Sequence, residues 1–456
     1  MPVLFIILVN AIFKIFIFPL FTPIPYYDNL EAIYLGGFTE FGNYKHPPLL
    51  NFIMQTGDLI SSRSIFFLHI IPQIYFALLY FFVYKLASKF VSRNMAIIST
   101  VFISFFPYFS VSSQIFAQDV ILALPFVASI YFYVNFLEKN SLSQAILLGI
   151  SIGLGMLGKY FFVVHALSIF IHAIFVAKLV KNPKIYIAGL VSLFVFLPNL
   201  LWLVNHDFIA IKYGYSTGGD AQRRASYSLF LNYLANITIF VVIIAILSKK
   251  LPKLKEVKLN IISYFVIANG VILLAIMFFG DMHGKSRFLQ MFAPILPLFA
   301  IIFVGANFTN RQTTIFTTVA IVLISISHIV ECFKSRQKNK LENQNFKEMV
   351  KEIEAQWVKE CGNVPIKYFF SRNSYMLGGI WLFFKDKPHF VPHSFAFTPY
   401  LSEEDYNKNG GIIIYNEFKK EPEIVDDGIK KITFKSHHFK KKNIENTFLV
   451  GFKCPI

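Results

Sequence analysis

The sequence is short of charge, of carboxylates and of cysteine. Only 15% of its 456 residues are Asp, Glu, Lys or Arg, against roughly 25% in soluble domains. The 26 carboxylates face 43 lysines and arginines, leaving a formal net charge of +17. Three cysteines exclude a disulfide-built scaffold and a Cys-rich metal centre. No P-loop occurs, and the isolated Gly-x-Gly triplets open no βαβ unit, so the usual nucleotide fingerprints are missing. No solenoid-type repeat is present. What fills the chain is apolar: 55% hydrophobic residues, 54 of the 456 being Phe, and a mean hydropathy of +0.56. Repeated apolar runs of about 18 residues or more mark spanning helices. The chain therefore reads as a polytopic α-helical membrane protein. In a soluble domain such a charge excess would point to nucleic acid. Here Lys and Arg collect in short loops, where they suit the cytoplasmic face and anionic membrane lipids, and no nucleic-acid partner is expected.

Residues 3–21 form the first apolar run, with Asn10 and Lys14 inside it. The run is longer than a signal-peptide core and lacks a small-residue cleavage site, so a retained anchor is expected. Lys14 either snorkels or faces the bundle interior. Further runs lie near 65–84, 95–112, 119–137, 145–158, 160–177, 185–203, 229–248, 259–279, 288–305 and 313–332. That makes about eleven spans. Alternate connections carry Lys85, Lys89 and Arg93; Lys139; Lys178, Lys181 and Lys184; Lys249 to Lys258; and Arg311. The positive-inside rule puts these in the cytoplasm. The other set (residues 22–64, 113–118, the Lys159 turn, 204–228 and 280–287) then faces outward, as do residues 334–456.

Two domains follow: a membrane domain over residues 1–333 and a small extracytoplasmic α/β domain over 334–456. In the latter, residues 340–360 have helical periodicity, with Phe346, Met349, Ile353 and Trp357 on one face. The segments IKYFF, GIIIY, KITF and TFLVGF read as strands. A bridge between Cys361 and Cys454 is open if this domain lies in an oxidising compartment.

The chemistry-bearing residues gather in the outward segments. Residues 21–51 hold Asp28, Glu31, Glu40, Lys45 and His46, in the pattern D-x-x-E followed by Y-K-H-P-P-L. Asp28 and Glu31 also suit an N-cap and its capping box. Lys45 and His46 also suit an interfacial pair ahead of the stiff Pro47–Pro48. Asp119 opens the fourth run, where it pairs with a cation, orients an acceptor, binds a metal or simply caps a helix together with Ser112, Ser113 and Gln118. Lys159 interrupts G-L-G-M-L-G-K-Y-F-F, where it binds an anion or snorkels. Later come P-N-L-L-W-L-V-N-H-D-F with His206 and Asp207, the Arg223–Arg224 pair, and G-K-S-R-F with Lys285 and Arg287.

These patches, in this order, resemble the dolichyl-phosphate-mannose-protein mannosyltransferase-like membrane glycosyltransferases, which include lipid A aminoarabinose and galacturonic acid transferases. The resemblance covers about residues 1–305. It implies a GT-C fold, a polyprenyl-phosphate-linked sugar as donor and a lipid or protein acceptor. It makes Asp28 the catalytic base, with Asp119 as the second catalytic carboxylate. It places the donor phosphate on Lys45, His46, Lys159, Lys285 and Arg287. Glu31, His206, Asp207, Arg223 and Arg224 are then substrate-binding. The K-H-P-P stretch departs from the family's common acidic residue followed by His or Lys, which leaves open whether Lys45 or His46 meets phosphate. No cofactor is required, although a divalent metal stays open; no ligand spacing supports one. The expected location is a bacterial inner membrane with the site facing the periplasm. The alternative from another class is a transporter or lipid flippase, whose sites tend to lie at the midplane between repeated halves.

Overall fold

In the computed structural model the chain is helical up to Gln337 and ends in a small mixed α/β layer. The structure describes all residues except 1, 36–39, 61–64, 217–222, 252–259, 280–285, 338–342, 372–373, 393–394, 396–397, 399–400, 416–428, 439–440 and 442–444. The side chains of 58, 65, 215–216, 223–229, 276–279, 286, 336–337, 374–377 and 392 are likewise outside it.

The helices in chain order are α1 (Pro2–Ala11), α2 (Tyr27–Tyr34), α3 (Leu49–Ile60), α4 (Ile65–Ala87), α5 (Arg93–Phe102), α6 (Ala123–Lys139), α7 (Leu142–Gly158), α8 (Val163–Ile171) and α9 (Pro183–Asn205). They continue with α10 (Ile209–Ser216), α11 (Arg223–Ser248), α12 (Ile261–Phe279), α13 (Leu296–Val304), α14 (Asn310–Gln337), α15 (Phe346–Cys361), α16 (Ser374–Trp381) and α17 (Glu403–Asn409). The strands are β1 (Tyr368–Ser371), β2 (His389–Pro392), β3 (Gly411–Tyr415), β4 (Lys430–His437) and β5 (Glu445–Lys453). Helix stands at every apolar run marked by the sequence. Among the described residues, 5 helices are long and apolar enough to cross a membrane: Pro2–Leu20, Phe66–Ala87, Pro183–Asn205, Phe230–Ser248 and Asn310–Ser335. Shorter apolar helices lie at Arg93–Phe105, Leu142–Gly158, Tyr160–Val176, Ile261–Ala275 and Ala293–Val304. The chain is an integral membrane protein.

It divides into two compact units. One comprises residues 1–13, 45–50 and 70–328; the other comprises 14–44, 51–69 and 329–456.

Within the first unit, local chemistry sets the helix pairs. Asn140 ends α6 in the left-handed conformation, φ 45°, and Ser141 caps α7 by accepting from the Gln144 backbone N–H at 3.3 Å. The two helices are thus joined by a minimal turn and lie against each other. Asn182 caps α9 by accepting from the Lys184 N–H, and Pro183 occupies the first helical position, where no N–H is needed. Small residues on α7 let α9 come close: a Cβ at Gly153 would sit 2.6 Å from the Val195 Cβ.

The second unit is built on a five-stranded sheet in the order β2-β1-β3-β5-β4. Strand β1 pairs in parallel with β2 and β3, while β5 runs antiparallel to β3 and β4. Helix α15 buries the expected face, Phe346, Met349, Ile353 and Trp357, each at most 1% exposed. A disulfide joins Cys361 at its end to Cys454 after β5, with Cα atoms 5.0 Å apart. The same unit contains α2. Its Tyr34 ring packs on Phe390 of β2, centroids 4.2 Å apart, and on Trp381 of α16. Close approach of α2 and α16 depends on Gly378, where a Cβ would lie 2.6 Å from Tyr34 Cε1 and 2.8 Å from Leu30 Cβ. From α3, Gln55 Nε2 donates to the Ile33 carbonyl at 3.2 Å and Asn51 Nδ2 donates to the Leu35 carbonyl. These bonds satisfy acceptors that the end of α2 leaves open.

Gly378→Ala raises intrinsic helix propensity, yet it is expected to destabilise this unit by about 1–3 kcal/mol through overpacking against α2. Thermal unfolding of the purified protein checks this. An Ala variant as stable as wild type would contradict the tight α2–α16 contact.

Candidate active site

Asp119 lies in the irregular turn ahead of α6, and its side chain is 2% exposed. That turn is tied down from α4. The Tyr75 hydroxyl donates to the Ile121 carbonyl and accepts from the Leu124 N–H at 3.2 Å. The start of α6 has Leu122 at its cap position, with no side-chain cap of its own, so Tyr75 takes over part of that work across helices. Gln73 Nε2 donates to Ser113 Oγ at 3.3 Å one turn earlier. The carboxylate itself caps nothing; it is held by cations.

Lys159 Nζ bonds to Asp119 Oδ1, and Arg287 Nε lies 2.6 Å from Oδ2. Lys159 reaches this point because α7 stops there. It is the C-terminal cap residue, with extended φ −165° and ψ 139°. The preceding Gly158 has no Cβ, which would sit 2.7 Å from Leu122 Cδ2, so the turn closes onto the Asp119 segment. Arg287 and Phe288 come from the 3₁₀ stretch Ser286–Met291. The Phe288 ring lies under Lys159, 3.5 Å from Nζ to centroid, and packs at a tilt of 47° against Phe161, centroids 5.1 Å apart.

An isolated carboxylate so buried would cost several kcal/mol. Two cations offset that cost and leave the trio with a net positive charge. The Lys159 side chain is 13% exposed and that of Arg287 38%. Arg287 therefore presents guanidinium surface outward while Asp119 fixes its position. Lys and Arg held in fixed positions are groups that can hold an anion.

The remaining expected residues are distributed as follows. Asp28 is the second residue of α2, half-buried, and it is not the cap. That position is taken by Tyr26, whose φ −61° and ψ 147° follow from the extended entry through Pro25, and no side-chain cap bond forms. The capping-box alternative for Asp28 and Glu31 is thereby removed, and Glu31 is 5% exposed on the next turn. Both belong to the second compact unit; Lys45, His46, Asp119, Lys159 and Arg287 belong to the first. Lys45 and His46 are half-buried ahead of Pro47–Pro48. His206 closes α9, with its ring stacked on Trp202 at 4.2 Å and Nδ1 2.8 Å from the Trp202 carbonyl. Asp207 is exposed, with φ 51°. Arg223 and Arg224 open α11, their side chains outside the described residues, and Lys285 lies outside them altogether. Among the described residues no group of three or more His, Cys, Asp or Glu could hold a metal ion. Tyr75, Gly158 and Phe288 are the parts that sequence reasoning missed. Gly158 and Phe288 adjoin the two cations in sequence, whereas nothing marks Tyr75 in its apolar helix.

A double-mutant cycle checks the trio. Asp119→Asn and Lys159→Met are each expected to destabilise, with a coupling of about 1–3 kcal/mol between them. Strictly additive losses in unfolding free energy would show that the pair does not hold.

Residues 45–202, which include Lys45, His46, Asp119 and Lys159, match the profile of the family described as dolichyl-phosphate-mannose-protein mannosyltransferase. Two proteins of Rhizobium johnstonii are similar. The lipid A galacturonosyltransferase RgtD is 26% identical over 177 residues, 38% of this chain and 37% of that protein. The lipopolysaccharide core galacturonosyltransferase RgtB is 26% identical over 328 residues, 66% of this chain and 65% of that protein. The chain thus spans less than two thirds of the length of either relative. The crystal structure of ArnT from Cupriavidus metallidurans bound to undecaprenyl phosphate has the same fold, with a TM-score of 0.61 over 99% of this chain and 97% of that one, at 10% identity. The chain is similar to these galacturonosyltransferases, and its residues 45–202 match the model of the dolichyl-phosphate-mannose-protein mannosyltransferase family on an ArnT-like helical membrane fold.

Proposed function

We propose that this protein is an inverting GT-C glycosyltransferase moving a sugar from a polyprenyl-phosphate donor to an envelope acceptor, a hydroxyl or phosphate of lipid A, lipopolysaccharide, another glycan or a protein. The observation that carries the reading is the Asp119–Lys159–Arg287 cluster, an anion-facing surface inside a homologue of enzymes named for sugar transfer to lipid A and lipopolysaccharide core. In the reaction an acceptor oxygen attacks the anomeric carbon from the face opposite the phosphate. The carbon–oxygen bond to phosphate breaks, and the electron pair leaves with it. Lys159 and Arg287, with Lys45, His46 and Lys285, neutralise the charge that develops there. Asp28 takes the acceptor's proton. Asp119 acts through the two cations, because both its oxygens are engaged by them. Glu31, His206, Asp207, Arg223 and Arg224 are assigned to the sugar and acceptor.

The proposed orientation is about eleven crossings of a bacterial inner membrane, with the site and C-terminal domain on the periplasmic side. Basic loops support it. The Cys361–Cys454 disulfide supports it independently, because such bonds persist in oxidising compartments. A reporter fused after Phe333 is expected to be active only outside the cytoplasm; activity only inside would reverse the topology.

Asp28 gives the sharpest test of chemistry. Asp28 does not cap α2, so Asp28→Asn removes no cap bond; the first-turn charge it loses contributes about 0.3–1 kcal/mol. Loss of a general base lowers rate about 10²–10⁴-fold. Sugar transfer from a polyprenyl-phosphate donor is therefore expected to fall on that order, in a protein that still folds and inserts. Undiminished transfer would remove Asp28 from the mechanism.

A further inference from the structure

A cavity of about 290 Å³ opens in the second unit, between the C-terminal half of α15, the turn that follows it and the segment joining α16 to β2. Hydrogen bonds to the backbone set its walls. Buried Trp357 donates from Nε1 to the Val364 carbonyl at 2.7 Å, which folds the turn back over α15. That turn leaves the helix through Gly362, φ 82°, directly after Cys361, which the disulfide ties to Cys454. Glu354 Oε1 accepts from the Lys385 N–H at 2.8 Å, joining α15 to the segment before β2. Asp386 Oδ2 accepts from the Ile366 N–H at 3.2 Å, joining that segment to the turn. Each carboxylate thus has one oxygen fixed by backbone and the other left to face water. Lys385 lines the same cavity, yet among the described residues it forms no ion pair with either.

The lining decides what fits. Its volume is at the lower end of the about 300–1,000 Å³ usual for small-molecule sites, so it takes one ring-sized ligand. Carboxylate oxygens only accept hydrogen bonds, so that ligand must bring donors. Asn363 and Lys385 add donors to the same walls, and Val358, Val364 and Pro365 add carbon surface. A ring carrying several hydroxyls and a C–H face meets all three. An apolar ligand would strip water from two carboxylates with nothing in return. Two carboxylates against one ammonium leave the walls net negative, which opposes a phosphate or an acidic sugar. A metal ion fits poorly, because among the described residues no group of three or more His, Cys, Asp or Glu could hold one.

We propose that this cavity binds one non-acidic saccharide unit, a neutral or amino-bearing ring, with Glu354 and Asp386 accepting from its hydroxyls. The two acceptors are aimed before the ligand arrives, since their backbone bonds already hold them. Binding exchanges water for sugar hydroxyls at these oxygens, so its affinity is modest. The lining includes no residue of the Asp119 cluster, so the site stands or falls separately from the proposed transferase reaction.

The test is saturation-transfer NMR on the full chain, titrated with methyl glucoside, methyl glucosaminide and methyl galacturonide. A polyoxyethylene detergent is used, because glycoside detergents would compete for the site. Saturable binding of methyl glucoside or methyl glucosaminide is expected, with methyl galacturonide markedly weaker. In the double variant Glu354→Gln with Asp386→Asn, each new amide keeps its backbone bond through oxygen and turns a donor toward the cavity. Affinity then falls about tenfold or more, as for two lost hydrogen bonds. Glu348→Gln, on the same helix but outside the cavity, leaves binding unchanged. Should the double variant fail to fold, Val358→Trp fills the cavity mouth from an exposed helix position and abolishes saturation. No saturable binding of either non-acidic glycoside overturns the proposal. So does methyl galacturonide binding equally well, and so does undiminished binding in the double variant or in Val358→Trp.

Discussion

The first unit is organised around one electrostatic constraint: a carboxylate with 2% exposure must have its charge answered. Asp119 is answered twice, by Lys159 from the end of α7 and by Arg287 from the stretch before α13. Much of the nearby architecture follows from that requirement. Helix α7 ends at Gly158 so that the next residue can turn inward, and Phe288 gives the ammonium a second face on which to rest. Tyr75 holds the turn bearing Asp119 by bonding backbone groups that α6 leaves open. In the role proposed for it, a cation fixed in this way would need little reorganisation to receive a phosphate.

The second unit shows a different economy. The segment that carries Asp28 and Glu31 is folded together with the C-terminal sheet, through Tyr34 on Phe390 and Gly378 beneath α2. A disulfide ties the residue after β5 to the end of α15. The proposed base thus stands on a helix braced from α3 and α16 rather than on a free loop, and constellations on rigid elements hold their geometry better.

Periodic and compositional features were legible in the sequence. Apolar runs gave the helices, and the spacing of Phe346, Met349, Ile353 and Trp357 gave the buried face of α15. Strand β2 was not legible: His389–Pro392 is four residues long and ends in a proline, a weak signal beside GIIIY. Asp119, Lys159 and Arg287 each stood out as charges in apolar surroundings. That one carboxylate would bind both cations was hidden, because pairing between distant segments leaves no local pattern. Asp28 looked like a cap because Asp suits that role; the extended Pro25–Tyr26 entry starts the helix earlier and puts Asp28 in its first turn instead. The union of the first loop with the C-terminal sheet depends on Gly378, whose meaning is visible only once Tyr34 is beside it.

The central claim is that the cations held by Asp119 receive the phosphate of a lipid-linked sugar. The most direct measurement is an experimental density map, at side-chain resolution, of the protein loaded with a polyprenyl phosphate. The account predicts phosphate oxygens at about 2.7–2.9 Å from Lys159 Nζ or the Arg287 guanidinium, with Asp119 still engaging both cations. A phosphate bound elsewhere, beside an unaltered and uncontacted trio, would contradict it.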